Sequence, residues 1–355
     1  MCLTNIYLYI NFSYKVEIGS HESTALSCAT WVMYAFFSGT NLRKLLNVIQ
    51  EFESIIPNKI VASFYACFQA VINILGKNRN NKNPAVLDGD RFDYKFCFDS
   101  NQKGYSVSKA STICAIVAYL FGDYSSAYKF IERCRGCEST FRNMFVYPVF
   151  VFYDGLISLE MAKQQREHAS SLPQNETFMN HAKECISKMK SLSENAPSNF
   201  LNKLYLLQAE MAAVLGDTLQ ANKCYQEAIT LSEKNGFFNE EAIACERAGI
   251  FLLKQHEQSN SSFSADAATQ LFITSYKCYE KWGAAEKMKH LKVQYLSNTK
   301  VDLSSNLLNN SSLEWQDESQ DCVSVLTDEN SSSIVLSHTT VLGGNKINKR
   351  RRLCS

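Results

Sequence analysis

The cysteines are the first residues in this sequence whose types and spacing could support chemistry. The 355-residue chain contains 13 of them, scattered from Cys2 to Cys354. Secreted disulfide frameworks instead cluster an even number in a short chain. Cys134 and Cys137 form a CxxC pair, but there is no second CxxC for zinc and no predicted strand before it for a thioredoxin-type site. We therefore expect reduced thiols that serve as small core residues, with this pair at a helix end.

Two further groups have residue types that bind metals or transfer protons. His181 and Cys185 are four positions apart and would share a helical face, but no third or fourth metal ligand is visible nearby. Glu240, Glu241 and Glu246 predict an acidic patch on one helix, and such patches are usually solvated faces. No base is paired with them for hydrolysis. The sequence predicts no metal site, no cofactor and no catalytic residue.

Phosphate-transfer motifs are also missing from the sequence. It has no GxxxxGK[S/T] phosphate loop and no kinase glycine-rich loop with HRD and DFG partners. None of the six histidines is followed by the acidic, apolar, basic and proline positions of a phosphoacceptor box. His21, followed by Glu22, comes nearest. We expect this chain to have no enzymatic activity of its own.

Composition narrows the class of partner. The chain has 36 Lys and Arg against 35 Asp and Glu, a net charge of +1 that argues against binding driven by bulk charge to nucleic acid or membranes. The N-terminal residues are apolar but lack the basic region of a signal peptide, and the apolar stretch 25–37 is shorter than a membrane span needs. We expect a cytoplasmic protein whose partner is a protein or peptide.

Helical periodicity dominates residues 20–296, and few prolines interrupt it. Pro197 is one of them, and it predicts that one helix ends just before it. Leu42, Leu45, Leu46 and Ile49, for example, fall at steps of three and four and would form one apolar stripe. No stretch shows the sustained alternation of a strand. The predicted fold class is all-α.

Three segments differ from this helical region. Residues 1–19 form an N-terminal segment or the remnant of a truncated helix, and residues of about 77–104 form a polar connecting loop. Residues 297–355 are rich in Ser and Asn and have too little apolar surface to offset chain entropy, so we predict a disordered tail. The basic run 349–352 in this tail is either a nuclear-import motif or a solvated end.

Two predicted turns share a pattern of glycine, aspartate and alanine. Gly122 and Asp123 are followed by Ala127, and the second turn repeats this spacing with the residues Gly216, Asp217 and Ala221. Glycine can adopt the left-handed conformation that ends a helix, and aspartate can cap the next helix through its side-chain oxygen. Alanine allows two helices to approach closely. Each turn therefore predicts a tight corner between antiparallel helices.

The second corner is followed by further residues of the same pattern. Tyr225 and Ala228 lie on the face of Ala221, and an opposing stripe is predicted on the preceding helix from Leu204, Leu207, Met211 and Leu215. The unit 202–235 matches a tetratricopeptide hairpin well, the unit around Gly122 partly, and the pair 240–254 with 266–280 weakly. We predict an antiparallel helix-hairpin solenoid of tetratricopeptide type. An irregular helical bundle is the alternative.

Several motifs in succession resemble one family more closely than generic tetratricopeptide repeats. They are Tyr119-Leu120-Phe121-Gly122-Asp123-Tyr124, Phe152-Tyr153-Asp154-Gly155-Leu156, Asn195-Ala196-Pro197-Ser198-Asn199-Phe200, Gln208-Ala209-Glu210, Tyr225-Gln226-Glu227-Ala228-Ile229 and Cys278-Tyr279-Glu280-Lys281-Trp282-Gly283-Ala284. Together they resemble the helical region of multi-sensor signal-transduction kinases, over roughly residues 20–296. In that family a serine/threonine-kinase-like domain and an AAA-type ATPase precede this region, and a GAF sensor and histidine kinase follow it. The resemblance implies a regulatory or partner-binding segment, although none of the catalytic motifs is present.

Three functional hypotheses follow. The first is a non-catalytic scaffold within a signalling-kinase system, as a fragment, a truncated gene product or a stand-alone descendant. The second is an independent adaptor that binds a peptide or protein in the concave groove of the solenoid. The third is a cryptic enzyme. A carboxylate clamp is disfavoured, because no cation stands at the relevant positions, which are Thr112, Ile116, Leu206 and Glu210. Trp282, near the last strong helix, is expected to pack as a terminal cap.

Overall fold

A computed structural model describes residues 21–55, 62–99, 104–167, 172–259 and 262–297 of the chain. The predictions for residues 1–19, for the tail from 298 onward and for its basic run lie outside these ranges. The described residues contain no strand, only an isolated bridge between Asp88 and Asp93. The all-α prediction is therefore confirmed for this part of the chain.

Twelve α-helices occupy the described ranges. In chain order they are α1 (His21–Phe37), α2 (Leu42–Ile55), α3 (Ala62–Ile74), α4 (Tyr105–Leu120), α5 (Tyr124–Arg135), α6 (Val146–Glu167), α7 (Leu172–Asn195), α8 (Pro197–Leu215), α9 (Thr218–Lys234), α10 (Phe238–Ser259), α11 (Ser262–Trp282) and α12 (Ala285–Leu291). Short 3₁₀ turns lie at Tyr94–Phe98 and Glu138–Thr140, and a π-helical turn at Lys292–Leu296 follows α12.

Local sequence sets the helix ends. Helix α7 ends at Asn195 and α8 begins at Pro197, as the sequence predicts. Proline disfavours helical backbone at the residue before it and suits the first helical position, where no backbone donor is needed. Ala196 therefore has a non-helical conformation, and one helical stretch becomes two helices.

The helices pack as successive hairpins. Consecutive pairs α4/α5, α6/α7, α8/α9 and α10/α11 contact each other, and the first members α4, α6, α8 and α10 also contact in succession. Charged side chains of α6, α8 and α10 can therefore meet on one side of the array. Stacked hairpins are compatible with a repeat architecture, while the tetratricopeptide type stays a prediction.

The end of α1 and the turn after it also contact α10 and α11. Asn41 donates a side-chain hydrogen bond to the carbonyl of Lys281 at 2.9 Å, 240 positions away in sequence, and Asn239 donates to the carbonyl of Phe37 at 3.3 Å. The rings of Phe36 and Trp282 lie 6.1 Å apart, and Trp282 is only 2 % exposed. We call these three interactions the closing contact. Trp282 ends α11 and packs against the first described helix.

The segment between α3 and α4 is irregular but anchored. Ala85, Leu87, Phe92 and Cys97 are buried, although the flanking side chains are mostly polar. The Asn73 side chain donates to two carbonyls of the segment, those of residues 84 and 86. Residues 77–99 therefore cover the end of α3, and the 3₁₀ turn Tyr94–Phe98 rests on α4.

Candidate functional site: buried ion pairs and the closing cleft

The two predicted corners have the expected backbone. Gly122 and Gly216 have φ angles of +80° and +83°, in the left-handed region. Asp123 accepts a hydrogen bond from the backbone N–H of Ser126 at 3.0 Å, and Asp217 accepts the equivalent bond from Gln220 at 3.1 Å. In both corners the aspartate satisfies a backbone donor at the start of the next helix.

The residues behind the corners are mostly buried as predicted. Ala127, Ala221 and Ala228 are fully buried, and the Tyr225 hydroxyl donates to Glu210 at 2.8 Å. In the opposing stripe, Leu204 and Leu207 are buried and Met211 is half-buried.

The prediction for Leu215 is wrong, because this side chain is 61 % exposed. It lies in the last turn of α8, at the end of the hairpin, where Leu219 on the other side of the corner is exposed as well.

A set of buried and half-buried polar residues from five helices meets beside these corners. We call it the central polar cluster, and its members are Tyr124 on α5, Glu160 and Lys163 on α6, Glu210 on α8, Tyr225 on α9 and Arg247 on α10. Sequence reasoning identified Tyr225 as a packing residue and did not identify the ionic partners. The hydrogen-bond partners of Arg247 lie between 37 and 123 positions away from it in sequence.

Arg247 is the centre of the cluster. Its Nε and Nη2 donate to the two carboxylate oxygens of Glu210 at 2.9 and 3.0 Å, a bidentate arrangement. Nη2 also donates to Glu160 at 2.5 Å, and Nη1 donates to the Tyr124 hydroxyl at 3.1 Å. Lys163 donates a further charge-assisted bond to Glu210.

This geometry shifts the pKa values of the buried charged groups. Burial alone would raise the pKa of Glu210, but the attraction of Arg247 and Lys163 outweighs burial and holds it well below its usual range. The pKa of Glu160 is lowered by the same balance. Burial would lower the pKa of Arg247, and its two carboxylate partners instead raise it. All these groups stay ionised at neutral pH, so they act as helix-joining ion pairs rather than as a proton-transfer pair.

The predicted acidic patch on α10 is not solvated. Glu240, Glu241 and Glu246 are all buried, because α8, α9 and α11 surround α10. Glu240 accepts hydrogen bonds from Lys203 at 2.7 Å and Asn202 at 2.5 Å. Glu240 therefore joins α10 to α8, and the prediction that these carboxylates form a solvated face is wrong.

Glu246 joins α10 to the end of the helical array. It accepts hydrogen bonds from the Tyr279 hydroxyl on α11 and from Lys287 on α12, both at 2.7 Å. Lys287 is 2 % exposed, and burial lowers its pKa more than Glu246 raises it. The ion pair therefore joins the seven-residue helix α12 to α10.

Next to the closing contact lies an open cleft of about 470 Å³, which we call the closing cleft. Its lining combines residues from both ends of the described array: Asn41, Arg43, Tyr276, Glu280, Gly283, Ala285, Met288, Lys289 and Lys292. Lys289 pairs with Glu286 at 2.8 Å. Arg43 and Lys292 are exposed and make no ion pair within the described ranges.

The other candidate residues do not form a site together. Every cysteine in the described part of the chain is a free thiol, and all except Cys137 are buried. Cys134 and Cys137 flank the end of α5, and Cys185 is buried while His181 is half-buried on the same helix. Within the described residues, no three His, Cys, Asp or Glu side chains are placed to hold a metal ion.

The positions of a carboxylate clamp are buried as well. Thr112, Ile116, Leu206 and Glu210 all have little exposed surface, and Glu210 is used by the central polar cluster. These faces of α4 and α8 are therefore closed to a peptide.

The chain matches no protein-family model and no curated protein. Among the helices of the described residues, none combines the length and the apolar character that crossing a membrane requires.

Proposed function

We propose that this protein is a non-catalytic helical scaffold of tetratricopeptide type that binds a protein or peptide partner within a signal-transduction kinase system. One observation carries the scaffold part of the proposal. Arg247 is paired with Glu160 and with Glu210 on two other helices, and all three charged groups are buried. Ion pairs of this kind fix the relative positions of helices, and none of these three groups lines the closing cleft.

The kinase system is proposed from the motif succession between Tyr119 and Ala284, which resembles the helical region of multi-sensor kinases. The cytoplasmic location and the absence of activity are part of the same proposal. Stacked hairpins with Gly-Asp-Ala corners support the tetratricopeptide part, because the glycine and aspartate stand at the turns and the alanine is buried in the helix that follows.

We place the partner site at the closing cleft rather than on the inner faces of α6, α8 and α10. Those inner faces are filled by the central polar cluster, whereas Arg43 and Lys292 are exposed on the cleft without an ion pair in the described ranges. Exposed cations beside Tyr276 and Met288 suit an acidic peptide segment with an apolar side chain. Binding there would bridge both ends of the helical array.

The test is affinity capture with the purified full chain, from cells that express it, followed by quantitative mass spectrometry. We expect a kinase-pathway protein to be retained by the wild type and lost with the double variant Arg43→Glu/Lys292→Glu. A matched control is Lys183→Glu/Lys223→Glu, which changes the net charge equally at exposed lysines away from the cleft. Loss in both variants, or in neither, would count against the cleft.

Two further measurements separate the three hypotheses. In-frame coding sequence for an ATPase-like module and a GAF-like module on either side of the gene would support the kinase segment. Cleft-dependent capture of a partner unrelated to kinases would instead support the alternative, a stand-alone adaptor. Calorimetric titration of ATP into the purified chain is expected to give no binding heat, and turnover would contradict the non-catalytic assignment.

A further inference from the structure

The segment between α3 and α4 brings two thiols together. Cys97 lies on the 3₁₀ turn Tyr94–Phe98 and Cys114 lies on α4, and their sulfur atoms are 3.9 Å apart. A disulfide has a bond length of about 2.05 Å, so closure requires the sulfurs to approach by roughly 2 Å. Rotation of the two side chains about χ1 moves the sulfurs by this order of distance without unfolding a helix.

The surroundings of Cys97 favour it as the attacking thiol. A hydrogen bond from the Cys114 thiol lowers the pKa of Cys97, against the burial that would raise it, and the positive charge of Arg133 acts in the same direction as the hydrogen bond. The pKa of Cys114 is instead raised well above its usual value, chiefly by burial. The pair therefore combines a thiol with a lowered pKa and a neighbour whose pKa is raised.

Access to Cys97 depends on a short element. Its side chain is buried, but the turn that carries it is only five residues long, and Lys95, Phe98 and Asp99 on either side are exposed. The turn is held by the packing of Phe98 on Phe130 and by a 3.3 Å hydrogen bond from Arg133 to the Cys97 carbonyl. Local opening of such an element costs less than global unfolding and exposes the sulfur to a small oxidant.

A third thiol nearby is less suited to the reaction. Cys134 donates to the carbonyl of Ser108 at 3.4 Å and contacts the Thr112 hydroxyl at 3.6 Å. Burial raises the pKa of Cys134 to about 12. Its sulfur is therefore kept protonated and directed at α4, and Cys114 is the nearer partner for Cys97.

We propose that Cys97 and Cys114 are a reversible oxidation site, at which hydrogen peroxide forms a disulfide that fastens the turn Tyr94–Phe98 to α4. The Cys97 thiolate attacks one peroxide oxygen, the S–O bond forms, the O–O bond breaks, and hydroxide leaves and takes up a proton as water. The Cys114 sulfur then attacks the sulfenic sulfur, the S–S bond forms and the S–O bond breaks. The second hydroxide leaves as water with the Cys114 proton, so both sulfurs are oxidised and both peroxide oxygens are reduced.

Mass spectrometry of the full chain tests the proposal. The reduced protein is freed of reductant, treated with a small excess of hydrogen peroxide, alkylated and digested. We expect one cross-linked peptide pair joining Cys97 and Cys114, absent without peroxide and lost on addition of dithiothreitol. This experiment on the wild-type protein can by itself overturn the proposal. Either of two results would do so: cross-links from Cys97 mainly to Cys134, or a Cys97 thiol that remains fully open to alkylation after peroxide treatment.

Two variants and a protease assay make the test sharper. Cys114→Ser should trap sulfenic acid on Cys97, detectable with a dimedone-type probe, while the control Cys224→Ser on α9 should keep the cross-link. In the oxidised wild type, tryptic cleavage after the exposed Lys95 should slow several-fold and recover on reduction. An unchanged cleavage rate despite a formed disulfide would contradict the fastening of the turn.

Discussion

Nη2 of Arg247 lies 2.5 Å from Oε2 of Glu160, which joins α10 to α6 across 87 residues of sequence. The same nitrogen donates to Glu210 on α8 at 3.0 Å, so one guanidinium links three helices. Because all three groups are buried, this arrangement controls both the stability of the array and its dependence on pH.

Replacing Arg247 with methionine should destabilise the protein strongly. The change leaves the carboxylates of Glu160 and Glu210 buried with one fewer cation, which costs about 3–5 kcal/mol when a buried pair is broken from one side. The free energy of unfolding in urea measures the effect. Arg142→Met serves as the control, because its pair with Glu138 joins neighbouring turns and its side chain is 63 % exposed. The control should cost less than about 1 kcal/mol. Equal losses in both variants would contradict the role of Arg247.

Acid should destabilise the wild type through the lowered pKa values of Glu210 and Glu160. A carboxylate with a lowered folded-state pKa contributes stability above its unfolded-state value, and that contribution is lost as the pH falls through the folded-state pKa. We expect the free energy of unfolding to fall between about pH 5 and pH 3, and to fall less steeply in Glu210→Gln. Glu227→Gln is the control, since this exposed residue makes no ion pair in the described ranges. Parallel curves for Glu210→Gln and the wild type would refute the assignment.

Two glycines at helix ends should respond in opposite directions to alanine. Gly216 has φ of +83° with open space where a Cβ would stand, so Gly216→Ala should cost about 1–2 kcal/mol through backbone strain alone. Gly136 ends α5 with φ of −61°, which any residue adopts. Gly136→Ala should be neutral or stabilise by up to about 1 kcal/mol through the unfolded state. Thermal unfolding of both variants checks this contrast, and a loss at Gly136 as large as at Gly216 would contradict it.

Gly155 in α6 should not tolerate alanine, although alanine favours helices by about 1 kcal/mol. A Cβ there would lie 2.6 Å from Cδ2 of Leu207 and 3.1 Å from the Cβ of Cys185, and both neighbours are buried. We expect a net loss of about 1–2 kcal/mol from overpacking. In a Leu207→Ala background the loss should shrink, which a double-mutant cycle measures. An unchanged loss would mean that Leu207 is not the obstacle.

Features set by residues that are close in sequence could be predicted, whereas contacts between residues far apart in sequence could not. The corners at Gly122 and Gly216 and the break before Pro197 depend on neighbouring residues, and these were predicted. The central polar cluster depends on residues of α6, α8 and α10 that meet only after folding, and no local spacing marks them.

The acidic residues of α10 were predicted wrongly because their partners are far away in sequence. Glu240 and Glu246 were predicted to be solvated because their charge was visible, whereas their partners Lys203 and Lys287 lie 37 and 41 positions away. The close approach of Gly155 to Leu207 could not be predicted from the sequence either, although Gly155 belongs to one of the motifs that carry the family resemblance.

The hydrogen bond from Asn41 to Lys281 can form only after most of the described chain has been synthesised. A ribosome adds about 5–20 residues per second, so the 240 residues from 42 to 281 take roughly 10–50 s to appear. Throughout that interval Phe36 awaits the indole ring that will cover it. A nascent chain in this state exposes apolar surface around Phe36, so chaperones should bind preferentially at α1 until Trp282 leaves the exit tunnel.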